Sequence, residues 1–219
     1  MMKLTPRLQT VADFVEKCDC FLDIGTDHAY LPAYIVENGI AETAIASDIN
    51  PNPLKNAQKT LEQENLSGKI TLRLSAGFEN IRENEAEEIA VAGMGGMMIA
   101  EMIADTPWLQ NKDIHLILQP MTHFELVRKE LQKNGFEIDA ETTVSEGNRV
   151  YLVMSARYSG TVSQKPAHWI YLGNLLNSTK KSDRQYVEKI IKTLRVKAEF
   201  CDDKEVIEAL RSIENAKSN

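Results

Sequence analysis

Several features that mark particular classes of protein are missing from this chain of 219 residues. Only three residues are cysteine, Cys18, Cys20 and Cys201. An odd number of cysteines without an export signal argues against a disulfide framework. No run of about 18 apolar residues could span a bilayer, and the N-terminal residues are polar where a secretory signal requires an apolar stretch. We therefore expect a cytoplasmic location.

Signatures of metal binding and covalent catalysis are equally scarce. The four histidines and three cysteines lack the spacing of a zinc site. No Ser/His/Asp or Cys/His arrangement for nucleophilic catalysis is recognisable. The G-x-G-x-x-G turn that cradles a dinucleotide pyrophosphate is also missing, because Gly25 is followed by Thr26, Asp27 and His28. We expect no metal, and the pattern disfavours a nicotinamide cofactor.

Charge is present but unevenly distributed. The chain has a net charge of -7, yet residues 1–159 contain 14 basic and 24 acidic residues while residues 160–219 contain 11 basic and 8 acidic ones. The first part is therefore unsuited to coating nucleic acid, whereas the C-terminal part is a long net positive segment.

Strand-like and helix-like segments alternate as far as Gly135. A strand buried on both faces is predicted at CFLDI, and further strands at TAIASDI, KITLRLS, EIAVAGM and DIHLILQP. Helices are predicted from Pro6 to about Lys17, from Tyr30 to Asn38, at NPLKNAQKTLEQENL with Gly68 closing it, at GGMMIAEMIADTPWL, and over residues 123–134 behind a Thr122–Glu125 capping box. This alternation is typical of a parallel, doubly wound α/β sheet.

The pattern changes after Gly135. FEIDAETTVSE and RVYLVMSARY are separated only by Gly147 and Asn148, which predicts an antiparallel hairpin. A Rossmann-like sheet that ends in such a hairpin resembles the class I S-adenosylmethionine-dependent methyltransferase architecture. Helical spacing returns after SGTVSQKP in two segments joined near residues 201–203. We expect a body of residues 1–158 and an antiparallel, coiled-coil-like helical extension of residues 159–219.

The stretch LDIGTDHAY places polar side chains where the first strand meets a helix, the edge at which doubly wound sheets bind ligands. Gly25 allows close approach of a ligand to the backbone. Asp23 and Asp27 would repel a pyrophosphate but attract a sulfonium ligand that carries an ammonium group. Asp48 ends the second strand, where an acid accepts the hydroxyls of an adenosine ribose. The alternative is an ordinary turn with solvated acids.

Four segments carry a resemblance to a known family: RLQTVADF, DIGTDHAYLP, AVAGMGG and LILQP, in this order and spacing. The chain resembles the bacterial tRNA adenine-22 N1-methyltransferases over about residues 5–158, and in its tail by architecture alone. The resemblance implies methyl transfer from S-adenosylmethionine to N1 of adenine 22 in tRNA, with a base turned out of its stack.

The resemblance also implies roles for individual positions. Asp23, Gly25, Asp27, His28, Asp48 and Ile49 would surround the cofactor, Ala76 and Gly77 would lie beside its adenine, and Gly93 and Met94 near the transferred methyl group. Gln119 and Pro120 would line the pocket of the target base, with Tyr30 stacking on the base and Asp27 stabilising its charge. Relatives usually carry Asp or Asn in place of Ala76 and an acid in place of Leu152.

Phosphates of tRNA are the predicted partners of the basic residues near both ends of the chain. These are Arg7 and a group in the tail, Lys180, Lys181, Arg184, Lys189, Lys192, Arg195 and Lys197. No obligatory protein partner is inferred. Three alternatives remain: a solvated helix face, a methyltransferase for a small molecule or protein, and a non-catalytic module that binds the cofactor or tRNA.

Overall fold

A seven-stranded sheet forms the centre of the structure, a computed structural model that describes residues 2–218. The strands are β1 (Cys18–Ile24), β2 (Ala41–Asp48), β3 (Ile70–Leu74), β4 (Glu88–Met94), β5 (His115–Pro120), β6 (Phe136–Glu146) and β7 (Arg149–Tyr158). Their spatial order is β3-β2-β1-β4-β5-β7-β6. Neighbours from β3 to β5 pair in parallel, whereas β7 is antiparallel to both β5 and β6. The predicted parallel sheet with a terminal hairpin is confirmed.

Helices cover both faces of this sheet. They are α1 (Pro6–Ala12), α2 (Tyr30–Glu37), α3 (Pro51–Gln63), α4 (Gly96–Ala104), α5 (Phe124–Lys133), α6 (Trp169–Leu172), α7 (Lys181–Phe200) and α8 (Lys204–Ser218), with a short 3₁₀ turn at Pro107–Leu109. Two clusters of buried side chains divide along the strands: Phe21 belongs to the cluster of α1 to α3, and Leu22 to that of α4 to α8. Because successive strand residues point to opposite faces, the two clusters lie on opposite sides of the sheet.

Four predicted helix boundaries are wrong. Helix α4 ends at Ala104, and a separate 3₁₀ turn follows at Pro107–Leu109, because Pro107 has no N–H with which to continue the α-helix. Helix α1 ends at Ala12 instead of near Lys17, because the N–H groups of Phe14 and Val15 bond three residues back and tighten the chain out of the helix. Helix α3 ends before Asn65, whose φ is +57°, instead of at Gly68. The capping box of α5 does not form, because His123 and not Thr122 is the N-cap residue. The Thr122 carbonyl accepts the N–H of Gly96 at 2.9 Å.

The helical extension is attached to the sheet through buried polar contacts. Arg128 of α5 pairs with Glu141 of β6 at 2.6 Å, and its other amino group donates to the carbonyls of Ile170 and Tyr171. Asp183 of α7 accepts both the N–H and the hydroxyl of Thr143 on β6. The extension therefore has a defined position on the hairpin. Its division from the body at residue 158 stays a prediction.

The cysteines and the hydropathy of the helices have simple structural outcomes. The three cysteines are free thiols, and burial raises the pKa of Cys18 to about 12, so this thiol stays protonated near neutral pH. Within residues 2–218, no helix combines the length and hydropathy needed to cross a membrane.

Candidate functional site

A cavity of about 390 Å³ lies at the carboxyl ends of the parallel strands, and we call it the larger cavity because a smaller one adjoins it. It lies where the loops after β1, β2, β3 and β4 converge, the edge at which open α/β sheets bind ligands. Six of the residues predicted for the cofactor line it: Gly25, Asp48, Ile49, Ala76, Gly77 and Met94. The structure thus brings together residues that are up to 69 positions apart in the chain.

Backbone geometry shapes the wall of this cavity beneath Gly25 and Asp48. Gly25 has a φ of +81°, a conformation that favours glycine, and its N–H donates to the carbonyl of Ser47 at 2.8 Å. Asp48 accepts the N–H of Asn50 on Oδ1 at 2.7 Å, and its own carbonyl accepts the N–H of Ser75. These bonds hold the Asp48 carboxylate at the end of β2.

Apolar side chains that the sequence analysis missed complete the larger cavity. Phe78 and Trp108 line it, with their rings in an edge-to-face contact at 5.4 Å between centroids. Met98 and Met102 line it too. Phe78 and Met98 lie within glycine-containing segments that follow β3 and β4, SAGF and AGMGGMM, whereas no sequence signal marked Trp108. Apolar walls of this kind beside an acidic residue are suited to a flat ring with polar edges.

A smaller cavity of about 200 Å³ adjoins the larger one, since Gly25 lines both. Its walls include the predicted residues Asp23, Asp27, His28 and Tyr30, and also Arg7. The rings of His28 and Tyr30 stack 5.1 Å apart at an interplanar angle of 6°. Tyr30 is 44% exposed, so its ring remains accessible to a further flat group.

The two aspartates of the smaller cavity have different surroundings. Asp27 has a side chain that is 72% exposed, with one oxygen 3.4 Å from Nε2 of His28. Asp23 is buried, and loss of hydration raises the pKa of its carboxyl to about 6, although Thr26 and the Arg7 charge act to lower it. Asp23 is thus ionised at neutral pH close to a cation.

Gln119 and Pro120 are not among the residues that line either cavity. The Gln119 side chain is fully buried, and its Oε1 accepts hydrogen bonds from Nη1 of Arg7 at 2.7 Å and from the N–H of Gly93 at 3.1 Å. Its Nε2 donates to the carbonyl of Pro120. A base that contacts Gln119 would have to replace one of these bonds, so that role stays a prediction.

The two departures from the family pattern have different surroundings. Leu152 is fully buried in the core of the hairpin, where it packs as an apolar residue. Ala76 lines the larger cavity together with the acidic residues Glu79 and Asp105. Either acid could accept a hydrogen bond from an amine that Ala76 cannot bind.

The basic residues predicted for RNA fall into three groups. Lys181, Arg184, Lys189, Lys192 and Arg195 are exposed along α7. Lys180 instead donates to the hydroxyl of Thr142 and the carbonyl of Thr143, both at 2.7 Å, and Lys197 pairs with Asp203. Arg7 lies apart from all of them, in the smaller cavity. Only the first group is free of such contacts within the described residues 2–218.

The fold and the site define a methyltransferase of the Rossmann-like kind. Residues 4–154 match the family described as Methyltransferase domain, and the chain belongs to that family. This match covers β1 to β6, the first half of β7 and both cavities.

Individual relatives narrow the comparison. The chain is 39% identical over 156 residues to the tRNA (adenine(22)-N(1))-methyltransferase of Bacillus subtilis, an alignment that covers 71% of this chain and 65% of that protein. The solved structure of the Bacillus subtilis m1A22 tRNA methyltransferase TrmK has a TM-score of 0.82 at 28% identity, covering 100% of this chain and 97% of its own. A Streptococcus pneumoniae protein solved with S-adenosyl-L-methionine has a TM-score of 0.84 at 29% identity, and the match covers 97% of this chain and 99% of that one. The resemblance found in the sequence is confirmed.

Proposed function

We propose that this protein transfers a methyl group from S-adenosylmethionine to N1 of adenine 22 in tRNA. The observation that carries the proposal is the pair of cavities joined at Gly25, one suited to an adenosyl group and the other open beside Tyr30. The solved relatives extend over the whole chain, tail included. A tRNA substrate would place the enzyme in the cytoplasm.

The residues of the larger cavity fit the adenosyl part of this cofactor. Asp48 would accept the two ribose hydroxyls, as an acid at the end of the second strand does in nucleotide-binding sheets. The backbone at Ala76 and Gly77 would lie beside the adenine, with Phe78 and Trp108 as apolar walls. Gly93 and Met94 would lie near the methyl group, at the end of β4.

The chemistry requires orientation more than proton transfer. S-adenosylmethionine supplies an electrophilic methyl group on a sulfonium, and adenine N1 already has a lone pair with which to displace it. Tyr30 would stack on the base once it leaves the tRNA helix, and so would hold N1 in line with the methyl group. The N1-methylated base is cationic, and Asp27 would stabilise that charge when the bound RNA excludes water.

The tRNA would extend from this site across helix α7. Residues three and four apart share a face of a helix, so Lys181, Arg184, Lys192 and Arg195 lie on one side of α7. Glu188 lies within this row, but the four basic residues outnumber it, so the net charge of the row is positive. Because α7 is bonded to β6 through Asp183, the row has a fixed position relative to the two cavities.

Methylation of purified tRNA tests the proposal. Full-length protein, S-adenosylmethionine and tRNA transcripts with adenine at position 22 should yield N1-methyladenine, located by mass spectrometry of nuclease fragments. A transcript that differs only in guanine at position 22 is the matched control and should remain unmodified. Binding of cofactor without methylation of any tRNA would favour a small-molecule or protein substrate, or a non-catalytic role, and would contradict the proposal.

A further inference from the structure

Helix α7 ends in an aromatic ring that the rest of the protein leaves uncovered. Phe200, its last residue, is 81% exposed, the largest exposed fraction among the large apolar side chains of the described residues 2–218. Val196, one helical turn earlier, is 47% exposed. Single exposed apolar residues are common on protein surfaces, so the meaning of Phe200 depends on what lies beside it.

Phe200 continues a line of lysines along the outer side of α7. Four exposed residues at intervals of three and four positions share this side, and we call them the α7 stripe: Lys189, Lys192, Val196 and Phe200. Ile191 and Leu194 of the same helix are buried on the opposite side. Within residues 2–218, the ammonium groups of the two stripe lysines have no ion pair or hydrogen bond. The stripe therefore presents free cations first and an apolar end second.

The charges around the end of the stripe disfavour a phosphate at that point. Residues 199–204 contain three acids and one lysine. Lys197, the basic residue of α7 nearest to Phe200 in the chain, pairs with Asp203 at 2.7 Å. Phosphates are thus attracted to the stripe lysines and repelled from the turn between α7 and α8. A nucleic acid that follows the stripe would have to present an uncharged group to Phe200.

RNA with an unpaired nucleotide offers both kinds of group in the required order. Its phosphates pair with lysines, and the faces of its unpaired bases stack on aromatic rings. A protein partner that covered Phe200 and Val196 would also have to bury the stripe lysines, and lysine is depleted at the cores of protein interfaces. The composition of the stripe therefore favours RNA.

The base that meets Phe200 is a different one from the methylated adenine. Phe200 lines neither of the two cavities. It also lies 17 residues beyond Asp183, at which α7 is bonded to β6. At a rise of 1.5 Å per residue, this is about 26 Å along the helix axis. A base on Phe200 would hold the tRNA at a second point, away from the reacting atoms.

We propose that Phe200 stacks on an unpaired base of the tRNA other than adenine 22, and that Lys189 and Lys192 bind the phosphates that lead to it. The inference rests on the proposed tRNA substrate and adds to it a contact that does not depend on charge. Stacking on a neutral ring releases no counterions, so its contribution to affinity should be nearly independent of salt, unlike that of the lysines.

Salt dependence separates the ring from the lysines. By fluorescence anisotropy with full-length protein and a labelled tRNA transcript, Phe200→Ala should weaken binding roughly 5- to 150-fold at every salt concentration, the range for loss of one stacked base. The slope of log affinity against log salt should remain that of the wild type. Lys192→Gln, on the same stripe, should instead reduce this slope by about 0.7 to 0.9.

Three further variants define what the contact requires. Phe200→Tyr keeps a flat ring and should bind tRNA within about two-fold of the wild type. Phe200→Leu keeps apolar bulk without the ring and should lose most of what Phe200→Ala loses. Val162→Ala changes an apolar side chain that is 63% exposed outside α7, and it should have no effect. Thermal melts check that each variant remains folded.

Cross-linking identifies the nucleotide directly. A photoreactive benzophenone amino acid at position 200 should cross-link to an unpaired nucleotide of the transcript other than adenine 22, located by mass spectrometry of nuclease fragments. Cross-links confined to base-paired stems would contradict stacking. Binding of S-adenosylhomocysteine, measured by calorimetry, should be the same in all these variants, because Phe200 lies outside both cavities.

The possible results separate this inference from the proposed function. Unchanged tRNA affinity in Phe200→Ala, or wild-type affinity in Phe200→Leu, would overturn the inference. A wild-type protein that sediments as a dimer, with Phe200→Ala as a monomer, would assign the ring to a second copy of the chain and overturn it too. Binding of tRNA through Phe200 without methylation would support the inference and overturn the proposed function. Wild-type protein that binds no tRNA would overturn both.

Discussion

Asp23 is buried at the carboxyl end of β1, where its charge opposes folding even though the proposed cofactor would use it. Its pKa is raised from 3.8 to about 6, so the folded protein holds the proton more tightly than the unfolded chain between about pH 4 and pH 6. Stability therefore falls as the pH rises through this window. Above about pH 6, the ionised Asp23 carboxylate lowers the free energy of unfolding by at most about 3 kcal/mol.

Replacing this carboxylate should stabilise the ligand-free protein. We expect Asp23→Asn to raise the free energy of unfolding at pH 8 by about 1–3 kcal/mol and to have much less effect at pH 4, because the wild-type side chain is then protonated. Urea unfolding at the two pH values measures this difference. Asp27→Asn is the matched control, since its side chain is 72% exposed. A less stable Asp23→Asn protein at pH 8 would show that hydrogen bonding at this position outweighs desolvation.

At the scale of elements, the buried Arg128–Glu141 pair joins α5, β6 and the segment around α6. The two side chains are 0% and 1% exposed, and the N–H of Asn174 also donates to Glu141. Removal of one partner leaves a buried charge without its counterion, which costs about 3–5 kcal/mol. This pair is therefore one of the buried contacts that hold the extension on the hairpin, together with Asp183 and Thr143.

We expect Arg128→Met to lower the free energy of unfolding by about 3–5 kcal/mol and to speed amide hydrogen exchange in α6 and at the start of α7. The neighbouring Lys129 pairs with Glu205 on the surface, at 37% and 51% exposure, so Lys129→Met should cost less than about 1 kcal/mol. The double change Arg128→Met and Glu141→Gln should recover part of the loss. Similar losses for Arg128→Met and Lys129→Met would contradict a structural role for the buried pair.

At the scale of the whole molecule, charge divides the protein into an acidic body and a basic extension. Removing the extension would expose the apolar residues that it covers on the sheet, so charge substitutions in the intact chain are the cleaner test. In Arg184→Gln, Lys192→Gln and Arg195→Gln combined, tRNA affinity should fall at least about ten-fold at low salt. The slope of log affinity against log salt should fall by about 2 to 3, since each lost phosphate contact removes roughly 0.7 to 0.9.

Binding of S-adenosylhomocysteine to this triple variant should be unchanged, because the cavities lie in the body. The matched control is Lys55→Gln, Lys59→Gln and Lys69→Gln combined, which removes the same charge from exposed positions of the body and should affect tRNA binding little. Equal effects of the two triple variants would mean that tRNA responds only to net charge.

Much of the architecture could be predicted because its determinants are local. Strand β4 runs from Glu88 to Met94, as the apolar run EIAVAGM predicts, and the hairpin turns at Gly147 and Asn148. Helix ends were less predictable, since some depend on the conformation of single residues, as at Asn65, and others on hydrogen bonds to distant residues. The end of α5 nearest the site shows this, because the Thr122 carbonyl bonds to Gly96 of another helix.

The sequence by itself determined the class of fold, the edge of the sheet that binds ligands, and the polar residues after β1 and β2. These features depend on the spacing of apolar residues and on glycine turns, both of which are set within a few neighbouring residues. Only the tertiary structure decided what surrounds those polar residues. It placed Arg7 of α1 beside Asp23, buried Gln119 beneath that arginine, and brought Phe78 and Trp108 to one cavity wall. Contacts between residues so far apart depend on how the packed layers meet, which no local pattern encodes.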